Sequence, residues 1–415
     1  QLKVEVAWAK ARLVPPEEYE DAARRAGRRP PLGAARIAGL YARYEAGKRR
    51  QGAMDLDDLL WTCADLLEAD PRYAAAVRWR HRHLFVDEMQ DVNPAQYRLL
   101  GALLGPEPDL FVVGDPHQSV YGWNGADPSL LDRLPEAMPG TRVIRLDENH
   151  RSSPQVVAVA AAALGLESGG GPTSARRAGP VPRIVGHPTD HHEAAWVARE
   201  VWVAHRPGRR WAQLAVLART NAQLQLVAGA LREERVPHRF AGSDLAPGGA
   251  AGDPVGGDAS GTSPGTSPVT APWARTDGTG PGNAVGDRED AVVLSTFHRA
   301  KGLQWPAVFV VGLSDGLVPI ASARTEAALE EERRLLYVAL TRAEDELACT
   351  WTAHADHWQH ESGAPPRRPS PWLAAMEGVR TALLAADVPP DPADVRARLD
   401  ELRARLGAGD ARPPG

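Results

Sequence analysis

Two adjacent acidic residues follow a short apolar run in this sequence of 415 residues. Leu84, Phe85 and Val86 lead directly into Asp87 and Glu88. An aspartate at the end of a buried strand is suited to hold Mg²⁺ through an oxygen or a bound water. An adjacent glutamate is suited to activate an attacking water as a general base. Acidic pairs are also common on protein surfaces, so a solvated pair without chemistry is the alternative.

The elements around this acidic pair have the order strand, helix, strand. A second apolar run at residues 110–113 ends in Gly114 and Asp115, and residues 93–104 between the two runs have helical spacing. Parallel α/β sheets are built from this repeat, and the polar residues that follow their strands form active sites. The sequence therefore predicts that the acidic pair lies at a strand end of a parallel sheet.

The alternation continues towards the C-terminus and predicts a second α/β domain. Apolar runs predict strands at residues 143–146, 214–217, 292–294 and 307–311. Helical spacing predicts helices at residues 154–164, 221–234 and 326–341. Helices are also predicted within residues 1–50 and 54–68. The arginines of the first segment leave two interpretations open, a solvated helix face or a surface that contacts phosphates.

The composition is that of a soluble globular protein with two or three domains. Apolar residues make up 43% and charged residues 24% of the chain, and no apolar run is long enough to span a membrane. A net charge of −5 excludes a generally basic nucleic-acid coat but is compatible with a local basic groove. Cys63 and Cys349 stand in no CxxC pair, which argues against a zinc site or a disulfide framework and makes a reducing, cytoplasmic location the expectation.

Two stretches interrupt the alternation of strands and helices. Residues 241–288 are rich in Gly, Pro, Ser, Thr and Asp. They are predicted to be a disordered linker, because such a composition buries too little apolar surface to offset the entropy of ordering. Residues 167–180 are predicted to be a loop, and residues 389–415 a charged tail.

Five blocks of the sequence resemble, in the same order, helicase motifs of the UvrD/Rep/PcrA-like superfamily 1 helicases. The blocks are VDEMQDVNPAQ from residue 86, VVGDPHQSVYGWNGAD from residue 112, LDENHRSSPQVV from residue 146, STFHRAKGLQWPAVFV from residue 295 and EEERRLLYVALTRAED from residue 330. Five matches in one order are far more specific than any single match. The resemblance covers roughly residues 1–350, apart from the linker.

The resemblance implies an α/β fold with two RecA-like domains of the P-loop NTPase type, the first of them incomplete, and part of a helical accessory domain. Each RecA-like domain would be a parallel sheet with flanking helices, and the nucleotide would bind in the cleft between them. The implied division is an accessory-domain remnant at 1–50, the first RecA-like domain at 51–147, the second at 148–240 and 289–388, the linker at 241–288 in place of a second accessory domain, and the tail at 389–415.

The function that the resemblance implies is that of an ATP-dependent DNA helicase. Such an enzyme hydrolyses ATP with Mg²⁺ and translocates along single-stranded DNA, here expected to run 3′ to 5′. Its partners would be ATP, single-stranded DNA and junctions between single strands and duplex. DNA repair or replication restart is the expected context.

On the nucleotide side, the resemblance assigns Mg²⁺ binding to Asp87, the role of catalytic base to Glu88 and sensing of the γ-phosphate to Gln118. Arg151 and Arg342 would reach the γ-phosphate, where an arginine neutralises the charge that develops in phosphoryl transfer. For each arginine taken alone, a surface salt bridge is the alternative. Their places within the fourth and sixth blocks favour the functional interpretation.

On the DNA side, the resemblance implies that Tyr121 and Trp123 stack on bases. Aromatic platforms contribute roughly 1–3 kcal/mol per base without reading sequence. The Gly-rich setting of the two rings favours an exposed loop, and core packing is the alternative. Asn124 would lie beside the stacking rings, and His298 and Lys301 would belong to the loop that couples DNA to nucleotide.

The sequence departs from the family pattern at several positions. His150 stands where the family commonly has an aromatic residue that stacks on adenine, and Gln304 stands where a glutamate near the ribose is usual. Gly302, in the same loop as Gln304, completes the residues expected on the nucleotide side. Asn124 stands where an arginine is usual, which removes one phosphate contact.

The largest departure concerns the loop that grips phosphates. The sequence contains no GxxxxGK[ST], whose amides and lysine would hold the β- and γ-phosphates. We therefore expect an N-terminally truncated chain with little ATPase activity of its own. The alternative function is a non-catalytic remnant that binds single-stranded DNA. A helicase–nuclease is disfavoured, because no cluster of metal ligands follows the last block.

Overall fold

The structure is a computed structural model that describes residues 2–105, 109–166, 171–206, 208–241, 290–355 and 366–386. Except for residue 241, the predicted linker lies outside the described residues, as does the whole of the predicted tail. The predicted loop at 167–180 is described from residue 171 onwards.

The N-terminal segment folds as three helices, as its sequence predicts. These are α1 (Leu2–Ala11), α2 (Tyr19–Arg25) and α3 (Ala34–Gln51). The helices bury Trp8, Tyr19, Ile37 and Tyr41 in one apolar cluster. Lys48 is buried and pairs with the carboxylates of Asp55 and Asp58. For this basic residue, neither a solvated helix face nor a phosphate-contacting surface is the right description.

The next segment places the acidic pair at the end of a strand, as predicted. Its elements are α4 (Leu56–Ala69), α5 (Pro71–Arg80), β1 (Leu84–Val86), α6 (Pro94–Leu104) and β2 (Leu110–Val112). The two strands pair in parallel, and Phe85 and Phe111 remain exposed on this small sheet. α6 begins near its predicted position because Asn93 and Gln96 form a capping box and Pro94 occupies the first helical position.

The strand predicted at residues 143–146 is wrong. After α7 (Ser129–Asp132) and α8 (Leu134–Ala137), the chain continues without regular structure, and Val143, Ile144 and Leu146 are exposed. A β-prone run forms a strand only where a neighbour supplies backbone partners, and no described strand pairs with this run. Pairing begins slightly later, where β3 (Glu148–Asn149) lies parallel to β4 (Thr173–Ser174).

The C-terminal half contains a six-stranded parallel sheet. Its strands are β5 (Arg183–Thr189), β6 (Leu214–Ala218), β7 (His238–Phe240), β8 (Val292–Thr296), β9 (Trp305–Val311) and β10 (Ala343–His354). They lie in the order β5-β10-β9-β6-β8-β7. The strands predicted at 214–217, 292–294 and 307–311 are confirmed as β6, β8 and β9.

Helices cover both faces of the six-stranded sheet. They are α9 (Pro154–Leu164), α10 (Asp190–Ala204), α11 (Asn221–Glu233), α12 (Glu326–Leu340) and α13 (Leu373–Ala386). α9, α12 and α13 contribute to the core on one face, and α10 and α11 to the core on the other. All five residues of β6 are buried as a result, which explains its continuous apolar run. The predicted α/β class with RecA-like parallel sheets is confirmed.

No helix within the described ranges combines the length and the apolar character that a membrane span requires.

Candidate functional site

The acidic pair lies on the loop that leaves β1. Asp87 is exposed, and one oxygen of its carboxylate accepts a hydrogen bond from the Glu88 amide at 2.8 Å. Glu88 has a φ of 54°, a left-handed conformation that is uncommon for residues other than glycine and costs about 1–3 kcal/mol. Backbone strain of this kind clusters at functional sites, which favours chemistry over a plain surface pair.

Arg342 is buried just before β10 and has no acidic partner in the described part of the chain. Only 1% of the residue is exposed. Its guanidinium donates to the carbonyl oxygens of Val338 at 2.9 Å and Leu303 at 3.1 Å, and to Gln118 Oε1 at 3.4 Å. Burial lowers the pKa of Arg342 to about 10, so the group stays charged near neutral pH. A buried cation with neutral partners is costly unless an anion binds beside it.

A second guanidinium, that of Arg151, repels the guanidinium of Arg342 in the cleft between the two α/β units. The charge of Arg151 is, after burial, the next cause of the lowered pKa of Arg342. Arg151 Nε donates to Gln304 Oε1 at 2.8 Å, so Gln304 holds this arginine and does not stand free for a ribose contact. Two cations that repel each other are both stabilised by a bound polyanion, and phosphate groups match that requirement.

Gln118 connects the two α/β units at this cleft. Its Nε2 donates to Asp115 Oδ2 at 2.7 Å, and its Oε1 accepts from Arg342. Its backbone oxygen accepts from Lys301 Nζ at 2.7 Å. Gln118 therefore contacts groups of both units, which a residue that senses the state of the cleft must do.

The ammonium of Lys301, a residue predicted to bind DNA, lies inside the cleft. Its side chain is 6% exposed, and Nζ lies 2.5 Å from Asp91 Oδ2 and 3.3 Å from Glu88 Oε2. The ammonium also lies 5.4 Å from the centre of the Tyr121 ring. Two carboxylates therefore surround this charge, and a role of Lys301 at DNA stays a prediction.

The two aromatic residues of the Gly-rich loop, residues 121–125, have different surroundings. Trp123 is 46% exposed, and its ring centre lies 6.5 Å from that of His298. Tyr121 instead packs against the core of the six-stranded domain, and its hydroxyl donates to the His298 carbonyl at 3.5 Å. Tyr121 is thus partly buried and Trp123 is the more exposed ring, and stacking on bases stays a prediction for both.

A cavity opens beside the Trp123 ring. Its lining includes Trp123, Arg219, His298, Glu331 and Glu332. These residues come from the Gly-rich loop, from the carboxyl ends of β6 and β8, and from α12. An exposed ring at the edge of a cavity that also contains a guanidinium is suited to a flat, electron-rich group such as a nucleobase.

Arg219 is the residue of this cavity that the sequence analysis missed. Three contacts of 2.6–3.1 Å join its guanidinium to both carboxylate oxygens of Glu332. The sequence does contain a pattern that indicates Arg219. The residue comes directly after the apolar run of β6 and just before the capping box of Thr220 and Gln223. Polar residues at that place in a parallel sheet are candidates for binding.

His298 is neutral at physiological pH. Burial lowers the pKa of its imidazole to about 4, and the charge of Arg219 adds to the shift. Any contact of this side chain with a DNA backbone would therefore be a hydrogen bond and not an ion pair.

We expect the lowered pKa of His298 to reduce stability as the pH falls from about 6.5 towards 4. Over this window the unfolded chain binds a proton at His298 that the folded chain does not, so protons favour unfolding. His298→Gln should flatten part of the decline, measured as urea midpoints at pH 7 and pH 5. Burial raises the pKa of Glu193 to about 7, so the proton uptake of Glu193 favours the folded state as the pH falls. This effect is the same in the wild type and in His298→Gln and does not alter their difference. Identical pH slopes in the two proteins would contradict the assignment.

The remaining residues expected at the site lie near the surface. His150 has a side chain that is 73% exposed, with Nε2 at 3.6 Å from Glu148, and is accessible for stacking. Gly302 has a φ of 82°, so the turn before Leu303 requires a residue without a Cβ. Asn124 is exposed beside Trp123. The structure thus separates the expected residues into a charged cleft and an aromatic cavity.

Comparison with known proteins finds two domain matches along the chain. The UvrD/REP helicase N-terminal domain matches residues 1–139, and the UvrD-like helicase C-terminal domain matches residues 144–244 and 283–354. ATP-dependent DNA helicase UvrD2 of Mycobacterium tuberculosis (strain H37Rv) is 35% identical over 426 residues, which cover 88% of this chain and 61% of the relative. The chain thus spans about three-fifths of the length of that relative.

Two further proteins are similar over shorter stretches. ATP-dependent DNA helicase PcrA of Staphylococcus aureus (strain Mu50) is 31% identical over 209 residues, covering 50% of this chain and 29% of the relative. A crystal structure of the C-terminal domain of a possible DNA helicase from Lactobacillus plantarum WCFS1 aligns with 55% of this chain and 94% of its own, at 17% identity and a TM-score of 0.32. The two domain matches together span most of the sequence, and the chain belongs to the UvrD/Rep helicase family.

Proposed function

We propose that the protein containing this chain is an ATP-dependent DNA helicase that moves 3′ to 5′ along single-stranded DNA. Its substrates would be ATP with Mg²⁺, single-stranded DNA and single-strand/duplex junctions, and its context DNA repair or replication restart in the cytoplasm. The relatives UvrD2 and PcrA are both named ATP-dependent DNA helicases. The proposal extends that activity to this protein.

The buried guanidinium of Arg342 is the observation that carries the proposal. It is charged, nearly inaccessible, repelled by Arg151 and hydrogen-bonded to neutral oxygens. Such a group is stabilised when an anion binds against it, and most of all when negative charge increases during reaction. A γ-phosphoryl group in transfer is an anion of that kind.

The residues at the end of β1 fit a magnesium ion. Asp87 is exposed and uses one carboxylate oxygen for the Glu88 amide, which leaves the other oxygen for a hard cation. When bound, Mg²⁺ would neutralise phosphate charge and orient the phosphate oxygens. Asp87 would hold the ion directly or through a water.

Glu88 is the residue we assign to proton removal. Its Oε2 accepts from Gln90 Nε2 and lies 3.3 Å from Lys301 Nζ. Both neighbours hold the carboxylate in place, and a carboxylate oxygen is able to take a proton from an attacking water. Gln118 on the same side of the cleft, and Arg151 and Arg342 on the opposite side, would bind the phosphoryl oxygens.

The second α/β unit and the Gly-rich loop would bind the DNA strand. Trp123 provides the stacking face, and Arg219 and His298 line the adjoining cavity. Lys301 joins the two regions, because its ammonium contacts Asp91 and Gln118 while its loop begins next to His298. A change at the phosphate end of the cleft is therefore able to reach the DNA cavity through one short loop.

The test of the proposed function is strand separation by the gene product read from its own start codon. We expect ATP-dependent unwinding of a duplex with a 3′ single-stranded tail and little unwinding of a duplex with a 5′ tail. A preference for the 5′ tail would overturn the proposed direction. DNA binding without ATP hydrolysis would favour the non-catalytic alternative.

Trp123→Ala should weaken binding of an oligothymidylate by about 5- to 150-fold, which corresponds to the loss of one stacked base at roughly 1–3 kcal/mol. Trp123→Phe keeps a smaller aromatic face and should lose less. Fluorescence anisotropy of a labelled oligonucleotide measures both affinities. The matched control is Trp79→Ala, because Trp79 is also exposed, at 79%, but lies on α5 away from the cavity. Equal affinities for Trp123→Ala and wild type would remove Trp123 from the DNA site.

A further inference from the structure

Glu331, on α12, lies against the backbone of the loop that carries Trp123. Its carboxylate lies beside the amides of Gly122 and Trp123, which favour its ionised form, and its Oε1 has no hydrogen-bond partner in the described part of the chain. The side chain is largely buried, and burial raises its pKa above the ordinary value while these amides and Arg334 oppose the shift. An acidic group placed out of water in this way needs a local reason, and its contacts are with the stacking loop.

The loop itself is shaped to receive this carboxylate. A Cβ added to Gly122 would lie 2.8 Å from Glu331 Oε2 and 3.3 Å from Oε1. The φ of Gly122 is not in the left-handed region, so a side chain here would displace the Glu331 carboxylate without straining the backbone. Absence of a side chain at Gly122 therefore allows the close approach of Glu331 to the backbone.

Other contacts hold the same loop without fixing the Trp123 amide. Arg334, one turn further along α12, donates from Nε to the Ser119 carbonyl at 2.9 Å. On the opposite side, Arg28 NH1 lies 3.5 Å from the Trp123 carbonyl oxygen. The Glu331 carboxylate thus lies against the backbone that precedes the Trp123 side chain. This backbone sets the direction of the Trp123 ring.

We propose that Glu331 is a positioning residue that fixes the orientation of the Trp123 ring for stacking on a nucleobase. The consequence for DNA rests on the proposed function, whereas the effect on ring orientation does not. Glu331 acts through the backbone of Gly122 and Trp123. A carboxamide retains an acceptor oxygen at the same place, so the role requires the acceptor more than the charge.

The direct test follows Trp123 in the free chain by fluorine NMR with fluorotryptophan. The chain has 12 tryptophans, and the Trp123 resonance is identified by its loss in Trp123→Phe. Glu331→Ala should shift this resonance, and Glu331→Gln should shift it much less. Glu330→Ala is the matched control, because Glu330 is the preceding residue on α12, is exposed and pairs with Arg333. An unmoved resonance in Glu331→Ala would overturn the proposal, whatever the DNA affinity.

Gly122→Ala gives a reciprocal test of the same contact. In the wild-type background the new methyl group should displace the Glu331 carboxylate and shift the Trp123 resonance. In the Glu331→Ala background the space is open, so Gly122→Ala should cause no further shift. Equal effects of Gly122→Ala in both backgrounds would contradict the contact.

Oligothymidylate affinity then separates this proposal from the proposed function. Glu331→Ala should weaken binding at least about 3-fold but less than Trp123→Ala, whose loss is about 5- to 150-fold. In the double variant, Glu331→Ala should add little, because both changes act through the same ring. If Glu331→Ala shifts the resonance but Trp123→Ala leaves the affinity unchanged, the DNA role of Trp123 is wrong and the positioning role of Glu331 is retained. Full additivity of the two losses would sink positioning as the route by which Glu331 affects DNA.

Discussion

Glu88→Gln in the gene product should lower the rate of ATP hydrolysis by about 10²- to 10⁴-fold, the range that general acid–base catalysis contributes. Glutamine keeps the size and an acceptor oxygen of Glu88 but removes the basic oxygen that takes a proton from water. The acceptor for Gln90 Nε2 remains, so the β1 loop should keep its shape. Steady-state phosphate release measures the loss.

Nucleotide binding should survive this substitution within about twofold, because the charges that attract phosphate, Arg151 and Arg342, are untouched. Fluorescent nucleotide titration separates this quantity from turnover. Glu136→Gln is the matched control, since Glu136 is an exposed residue of α8 outside the cleft. Wild-type turnover by Glu88→Gln would remove the residue from its role. Loss of binding together with turnover would make Glu88 a binding residue.

Lys10→Met should lower the free energy of unfolding by about 3–5 kcal/mol, the range expected when one partner of a buried ion pair is removed. Lys10 is 1% exposed, and its Nζ lies 2.6 Å from Asp55 Oδ1 and 3.5 Å from Glu45, with Asp58 in close contact. Lys48 contacts the same three carboxylates at 2.6–2.8 Å. Without Lys10, one ammonium would face three partly buried carboxylates.

The expected loss is large because this network joins three helices. Lys10 belongs to α1, Lys48 to α3, and Asp55 and Asp58 form the capping box at the start of α4. The two ammonium groups hold the pKa of Asp55 and Asp58 below the ordinary value, so the network is lost as the pH falls through the acid range below 3.8. The charge cluster therefore orients the N-terminal helices relative to the first α/β unit.

Urea denaturation followed by circular dichroism measures this prediction. Arg24→Met is the matched control, because Arg24 pairs with Asp21 on an exposed helix face, with side chains 72% and 62% exposed. Surface pairs of this kind contribute about 0–1 kcal/mol. Equal unfolding free energies for Lys10→Met and Arg24→Met would show that the buried network adds nothing beyond a surface pair.

The fold could be predicted well where local signals and packing agree. α9 has the predicted bounds because Pro154 begins it, Gly165 ends it and the apolar spacing between them faces one core. The run at 143–146 is equally apolar but lacks a described neighbour to pair with, so local preference alone misled. Strand β10 was missed because its residues 343–346 are mostly charged.

The site could be predicted by residue type but not by environment. Asp87 and Glu88 directly follow β1, as the strand pattern predicts, and Gln118 lies in the segment that follows β2. Whether an aromatic ring is exposed depends on the neighbouring domain, which the sequence does not reveal, and Tyr121 and Trp123 differ for that reason. The resemblance predicted a DNA contact for Lys301. Its hydrogen bond with Asp91 was not visible in the sequence, because the two residues are 210 positions apart in the chain.

The most direct test of the account is the rate of ATP hydrolysis by the gene product with and without single-stranded DNA. We expect hydrolysis that single-stranded DNA stimulates, because the loop with Lys301 contacts the cleft and borders the Trp123 cavity. We also expect Arg342→Ala to abolish both the basal and the stimulated rate. Hydrolysis that ignores DNA, or that survives Arg342→Ala, would contradict a motor built from this cleft and this cavity.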